Sequence, residues 1–417
     1  MESALRLAYL VSQYPTVSHT FLFREIRQLR SLGCDVAVAS VRAPDRPLEK
    51  LTPEEREEAA RTYYIKPAGA LRMAMAQLWL LLKHPGRYFG GLLFALGLGG
   101  WDLRRIVFHL GYFAEAVLLG RWLTRQRLTH VHSHFSSTVA LLARRMFPIT
   151  ISLTIHGPDE FNNLAGFAMP EKVRDSLFLC AISDFARSQI LRTCPSSERR
   201  KIHVVRLGVD PNVYLPRPFR EDLNPVELIT VSRLAPVKGH AILLEALALL
   251  RRSGGNARLL LVGDGPERAN LERAAAAHGL SEAAVFTGAL TQDKVLELYR
   301  GADLFVLASF AEGIPVVLME AMAMEIPCVA TCVNGVPELI HDEVTGLLVS
   351  PANASVLAEA IARLARDPAL RRRLGTAARQ QVLENYNLAR NTIALRDLFA
   401  RYLAGVDAPL VKGPNES

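Results

Sequence analysis

Two glutamates, Glu312 and Glu320, frame the stretch of this chain best suited to chemistry. They open and close the segment Glu312-Gly313-Ile314-Pro315-Val316-Val317-Leu318-Met319-Glu320, which follows the apolar run Leu304 to Leu307. Pro315 suits the first turn of a helix. N–H groups near Gly313, Ile314 and Val316 then point out of its start, where an anion is favoured. At ~1.5 Å per residue, Glu320 stands about 7 Å deeper than the helix start and Glu312 just before it. One carboxylate can accept from sugar hydroxyls and the other from ribose hydroxyls, with a diphosphate between them. The alternative for Glu320, burial among Leu318, Met319, Ala321 and Met322 with no partner, is costly.

A second cluster follows the run Leu228 to Val231, where Arg233 and Lys238 are five residues apart in Ser232-Arg233-Leu234-Ala235-Pro236-Val237-Lys238-Gly239. A guanidinium fork and an ammonium converging there suit a diphosphate, although both also fit a solvated turn. Gly263-Asp264-Gly265-Pro266 after Arg258 to Val262 allows a ligand close to the backbone. It lacks the third glycine of a dinucleotide fingerprint, and a turn into a helix with Pro266 at its first position explains it equally. His156 and Asp159 follow the run Ile149 to Ile155, so His156 can meet a sugar or acceptor hydroxyl or be purely structural. His132 and His134 share one strand face as a possible metal pair, but with no third ligand evident no metal is expected.

These residues sit at the ends of short β-branched runs that alternate with helical stretches. Strands are predicted at Leu7 to Val11, Asp35 to Val41, Thr129 to His132, Ile149 to Ile155, Phe178 to Ile182 and Lys201 to Val205. After a proline-rich linker at 214–225 come Leu228 to Val231, Arg258 to Val262, Ala284 to Thr287, Leu304 to Leu307 and Cys328 to Ala330. The fold class is therefore α/β, with two doubly wound parallel sheets facing across a cleft. The domains expected are 1–213 on the acceptor side, joined by a C-terminal helix at 392–405, and 226–391 on the donor side.

With 417 residues, half of them hydrophobic and 22% charged, the chain has the balance of a two-domain globular enzyme. Five cysteines supply neither a disulfide framework nor a zinc site, and the N-terminus has no secretory pattern, so a reduced, cytosolic protein is expected. Residues 1–150 hold 20 Lys plus Arg against 11 Asp plus Glu, a net +9 within a whole-chain +8. Much of that excess lies between Lys66 and Arg127, beside the apolar runs Ala68 to Leu82 and Phe89 to Trp101. Neither run reaches the ~20 uninterrupted residues of a spanning helix. The region reads either as a surface for anionic lipid or as a helical hairpin on the core with solvated arginines. No pattern points to nucleic acid.

As a set, these motifs resemble the retaining glycosyltransferases of family 4, which have the GT-B fold. The resemblance rests on Glu312 with Glu320, Ser232 to Gly239, Val262 to Pro266, and Asn334-Gly335-Val336-Pro337-Glu338-Leu339-Ile340 followed by Gly346 to Val349. It rests more loosely on Tyr14-Pro15, Ser18, Thr20-Phe21, His132 to Phe135, His156 with Asp159, Ser183 and Leu207 to Asp210. It is strongest toward the branch that builds exopolysaccharides of the colanic acid and amylovoran kind. The resemblance implies transfer of a hexose from a nucleoside diphosphate sugar to a saccharide or lipid-linked saccharide hydroxyl, without a metal or cofactor. Catalytic roles then fall on Glu312, His156, Arg233 and Lys238. Donor binding falls on these cations with Gly263, Asp264, Leu290, Gly313, Ile314, Pro315, Val316 and Glu320. Ser18, Thr20, His134 and Asp159 lie on the acceptor side, with a cytoplasmic protein peripheral to the inner membrane face. His19 and Glu325 depart from the family pattern. A catalytically silent nucleotide-sugar-binding subunit is the rival from another class.

Overall fold

The computed structural model describes residues 5–157, 160–161 and 166–405. The chain divides into two units, the first comprising residues 1–181, 187–205 and 392–417, the second 182–186 and 206–391.

The first unit is a seven-stranded sheet of β1 (Arg6–Gln13), β2 (Asp35–Arg42), β3 (Tyr63–Tyr64), β4 (His130–His134), β5 (Thr150–Ile155), β6 (Leu179–Ala181) and β7 (Ile202–Val204). Its order is β3-β2-β1-β4-β5-β6-β7, with every pairing parallel. A parallel sheet covered on both faces needs strands that are apolar throughout, and Leu7 to Val11 are completely buried. Helix α1 (Thr20–Ser31) covers one face through Phe21, Leu22, Ile26 and Leu29. Helix α2 (Pro53–Arg61) starts on a reciprocal cap between Thr52 and Glu55. The end of the chain returns here: Leu395 and Phe399 of the helix Leu388–Leu403 are buried, and Phe399 meets the rings of Tyr9, His132 and Phe178.

The basic, apolar region forms three helices between β3 and β4, namely α3 (Ala70–Lys83), α4 (Pro85–Gly99) and α5 (Leu103–Gln126). Among the described residues one helix, α5, is long and apolar enough to cross a membrane; neither apolar run of the sequence indicated it, and half of its apolar window is buried.

The second unit has six parallel strands, β8 (Val226–Val231), β9 (Ala257–Val262), β10 (Ala284–Gly288), β11 (Leu304–Leu307), β12 (Cys328–Thr331) and β13 (Leu347–Val349), in the order β10-β9-β8-β11-β12-β13. The chain winds outward from β8 to β10 and then back to β11 on the other side of β8. The loops after β8 and β11 therefore part at the switch point and leave a crevice. In the first unit, β1 and β4 stand in the same relation. Residues 214–225 form neither helix nor strand, yet Tyr214 is completely buried and Arg217 nearly so.

Pro315, expected in the first turn of a helix, stands at the N-cap of the helix Val316–Ala323, whereas Pro266, which the alternative reading put at a first helical position, lies before the helix that starts at Arg268. Where the family pattern has a glycine, Glu325 takes the left-handed conformation itself, with φ +58°.

Candidate functional site

Three loops at the carboxyl end of the second sheet are locked together by backbone. Leu234 N–H donates to Asp264 O at 3.0 Å and Phe310 N–H to Val237 O at 2.8 Å. Glycines make the close approaches possible: a Cβ at Gly263 would lie 2.0 Å from Ser232 O, and one at Gly239, with φ +63°, would lie 2.0 Å from Ala308 O. This explains Gly263 by packing. Asp264 caps its own turn by accepting from Gly265 N–H at 2.7 Å.

On this frame Lys238 Nζ lies 2.7 Å from Glu312 Oε1, which also accepts from Ser309 Oγ at 2.6 Å. The Glu312 N–H donates to Asn334 Oδ1 at 3.3 Å. Lys238 is thus fixed beside the Gly313 loop and the start of the helix Val316–Ala323, whose first N–H groups have no partner within the helix. Gly335 packs on that loop so closely that a Cβ there would lie 2.0 Å from Gly313 O. Arg233, on the same loop as Lys238, is exposed, and its guanidinium has no partner among the described residues. Leu290 follows β10 in the loop before the helix Gln292–Gly301.

Glu320 is buried, but not alone. Tyr214 Oη donates to Oε1 at 2.6 Å, Gln292 Nε2 to the same oxygen at 3.0 Å, and Tyr299 Oη to Oε2 at 3.2 Å. These three donors make the burial tolerable, and the sequence reading missed them because Tyr214 lies about a hundred residues away. Asn334, by contrast, stands inside a motif the sequence had singled out. The same motif supplies Glu338, which accepts from Asp184 N–H at 2.8 Å and Phe185 N–H at 2.6 Å, the start of the helix Asp184–Leu191.

In the first unit His156 lies at the end of β5, its ring stacked on Phe135 at 4.2 Å and its Nε2 2.8 Å from His134 Nδ1. Its N–H donates to Glu160 Oε2 at 2.9 Å. Burial, reinforced by His134, pushes the His156 imidazole well below its usual range, so it is neutral. His134 is itself completely buried, so any effect on an acceptor runs through His156. Both nitrogens of His132 are engaged by Ser152 and Thr154, and those of His130, which the sequence did not single out, by Thr150 and Ser152. His19, where the family pattern has Glu, stacks on Phe135 at 4.5 Å; burial, with His134 nearby, lowers it to about 4. Thr20 opens α1 beside it. The side chain of Ser18 and all of Asp159 lie outside the described residues.

A cavity of about 400 Å³ in this unit is lined by His156, Phe135, Ser136, Arg42, Lys66 and Glu115, among others. Lys66 Nζ lies 3.2 Å from Glu115 Oε1, whereas the buried Oε2 has no hydrogen-bond partner among the described residues. Burial raises the Glu115 carboxyl, partly opposed by Lys66.

A family model for glycosyl transferases group 1 matches residues 215–381, the stretch that holds Arg233, Lys238, Glu312 and Glu320. The colanic acid biosynthesis glycosyltransferase WcaL of Escherichia coli K12 is 27% identical over 86% of this chain and 90% of its own. The amylovoran biosynthesis glycosyltransferase AmsK of Erwinia amylovora is 27% identical over 92% and 96%. The N-acetyl-alpha-D-glucosaminyl L-malate synthase of Bacillus anthracis is 31% identical over 63% and 72%. Among solved structures, Anabaena HepE in complex with UDP-glucose superposes with a TM-score of 0.71 at 17% identity, covering 96% of this chain and all of the other. Two doubly wound units, crevice loops carrying the Arg, Lys and paired-Glu motifs, and relatives spanning nearly the whole chain place this protein in the group 1 glycosyltransferases of the family 4 type, with the GT-B fold.

Proposed function

We propose that the protein transfers a hexose from a nucleoside diphosphate sugar to a hydroxyl of a lipid-linked saccharide during bacterial exopolysaccharide synthesis, at the inner membrane face and with retained anomeric configuration. The observation that carries this reading is the Lys238–Glu312 pair at 2.7 Å beside Gly313, with Arg233 exposed on the same loop. Arg233, Lys238 and the N–H groups at Gly313, Ile314 and Val316 take the diphosphate, whose charge grows as it leaves. Glu312 holds the transferred sugar, Glu320 the ribose in an orientation set by Tyr214 and Gln292, and the backbone at Leu290 the base. The carbon–oxygen bond to phosphate breaks, the acceptor oxygen bonds to the same carbon from the same face, and its proton passes to a phosphate oxygen. Charge is handled by these protein groups without a metal. The acceptor enters the first unit's cavity, where His156 and the open oxygen of Glu115 meet its hydroxyls.

The names of the relatives support the exopolysaccharide setting, and the UDP-glucose in the HepE complex supports the donor class. UDP-glucose is the first probe: hydrolysis by the purified protein, followed by NMR of the released sugar, reads turnover and anomeric outcome together. Binding without turnover, with any acceptor mixture supplied, moves the protein to the silent-subunit reading. An inverted product removes retention.

A further inference from the structure

The exposed apolar side chains are unevenly spread. Of the 23 large hydrophobic residues that are exposed among the described residues, 12 lie between Leu71 and Tyr112, on α3, α4, α5 and the turn before α5. On α3 they form one stripe, Leu71, Met75, Leu78 and Leu82, while Ala76 and Leu80 on the opposite side pack inward. On α4 Phe89 and Leu93 stand one turn apart. Trp101, at the turn into α5, is fully exposed, and Leu103, Val107 and Phe108 continue along α5. Monomeric proteins rarely leave such a surface to water.

The charge among these residues chooses the partner. Between Ala70 and Tyr112 the chain carries Arg72, Lys83, Arg87, Arg104 and Arg105 against the single acid Asp102, which caps α5 by accepting from the N–H groups of Arg104 and Arg105. Cations flanking Leu, Phe and Trp fit an apolar interior edged with anionic headgroups. Two copies of this face would instead bring ten cations together. The geometry points to docking on an anionic bilayer, with α3, α4 and the first half of α5 lying in its interface. They lie on it and do not cross it. Helices α3 and α4 have 14 and 15 residues, and the second half of α5 is fixed in the unit by Phe113, Val117, Leu119 and Leu123, with Gly120 set against the Phe147 ring. One turn beyond its exposed stripe, α5 supplies Tyr112 and Glu115 to the wall of the cavity assigned to the acceptor. The use of the surface, though not its existence, rests on the transferase reading.

The test is flotation of the full chain with vesicles of phosphatidylcholine alone or with about 30 mol% phosphatidylglycerol. Binding to the mixed vesicles is expected to exceed binding to the neutral ones about tenfold or more, and to fall by a similar factor when salt is raised well above physiological strength. Trp101→Ser with Phe108→Ser, and separately Arg87→Glu with Arg104→Glu, should each lower it about tenfold or more, leaving the thermal shift with UDP-glucose unchanged. Absence of binding, or binding that neither double variant weakens, overturns the proposal. So does a concentration-dependent dimer, seen by light scattering, that Trp101→Ser with Phe108→Ser dissolves, which would give the face to a second copy. Failure of the transferase reading is separate: UDP-glucose then stabilises nothing while vesicle binding persists.

Discussion

Lys238 Nζ and Glu312 Oε1 are 2.7 Å apart, although 74 residues and the three strands β9, β10 and β11 separate them. The pair joins the loop after β8 to the loop after β11 across the switch point of the second sheet. A cation alone there would draw any anion. Tied to a carboxylate that also accepts from Ser309, it is held at one place between the two loops.

Removing either partner should therefore cost catalysis more than fold. Lys238→Ala and Glu312→Ala are each expected to lower nucleotide-sugar turnover about 100-fold or more. The double variant should lose far less than the product of the two, because the pair acts as a unit. Steady-state rates beside denaturation midpoints check both statements, and full additivity would contradict the shared role.

Tyr214→Phe removes a single oxygen atom from the chain, yet deprives the buried Glu320 of the donor that stands 2.6 Å from its Oε1. Leaving a buried acceptor short of a hydrogen bond costs about 1–3 kcal/mol. Urea unfolding should show that loss, and the donor KM should rise more than kcat falls.

Gly335→Ala puts a methyl group 2.0 Å from Gly313 O, a backbone atom that cannot step aside. Destabilisation of about 1–3 kcal/mol is expected, with weaker UDP-glucose binding. Gly301→Ala, at a helical position with nothing within 4 Å, serves as the opposite control and should stabilise by about 0.5–1 kcal/mol.

Glu325→Gly replaces a residue held at φ +58° by the one residue type that takes this conformation freely. A gain of about 0.5–1 kcal/mol is expected after the added chain entropy is subtracted. An unchanged midpoint would mean that the Glu325 side chain contributes as much as its backbone costs.

Acid should loosen the first unit. Burial, before any neighbouring charge, lowers His19 and His203 to about 4 and His130 to about 3, and drives His132 and His156 well below their usual range. Unfolded, each takes a proton near pH 6.5. The unfolded state thus binds more protons below that value, so stability is complete above about pH 6.5 and falls progressively toward about pH 4. Melting temperatures across that window should drop, and His203→Gln should make the drop shallower. A flat profile would show that these imidazoles are not neutral in the folded chain.

The sequence carried the strands, since runs such as Leu7 to Val11 and Leu304 to Leu307 must be buried on both faces wherever they pair. It did not carry β3, two tyrosines long, nor β13 (Leu347–Val349), because strands this short owe their form to the neighbours they pair with and not to periodicity. The acids and cations of the donor loops were legible because each cluster is local, a few residues at the end of one run, so types and spacing state the chemistry before any fold is known. Their partners were not. Tyr214 and Gln292 on Glu320, Ser309 on Glu312, Glu338 on the backbone at Asp184, and the histidine ladder of β4 against β5 all depend on strand order and register. Those are settled by the packing of whole layers, which a linear spacing does not contain.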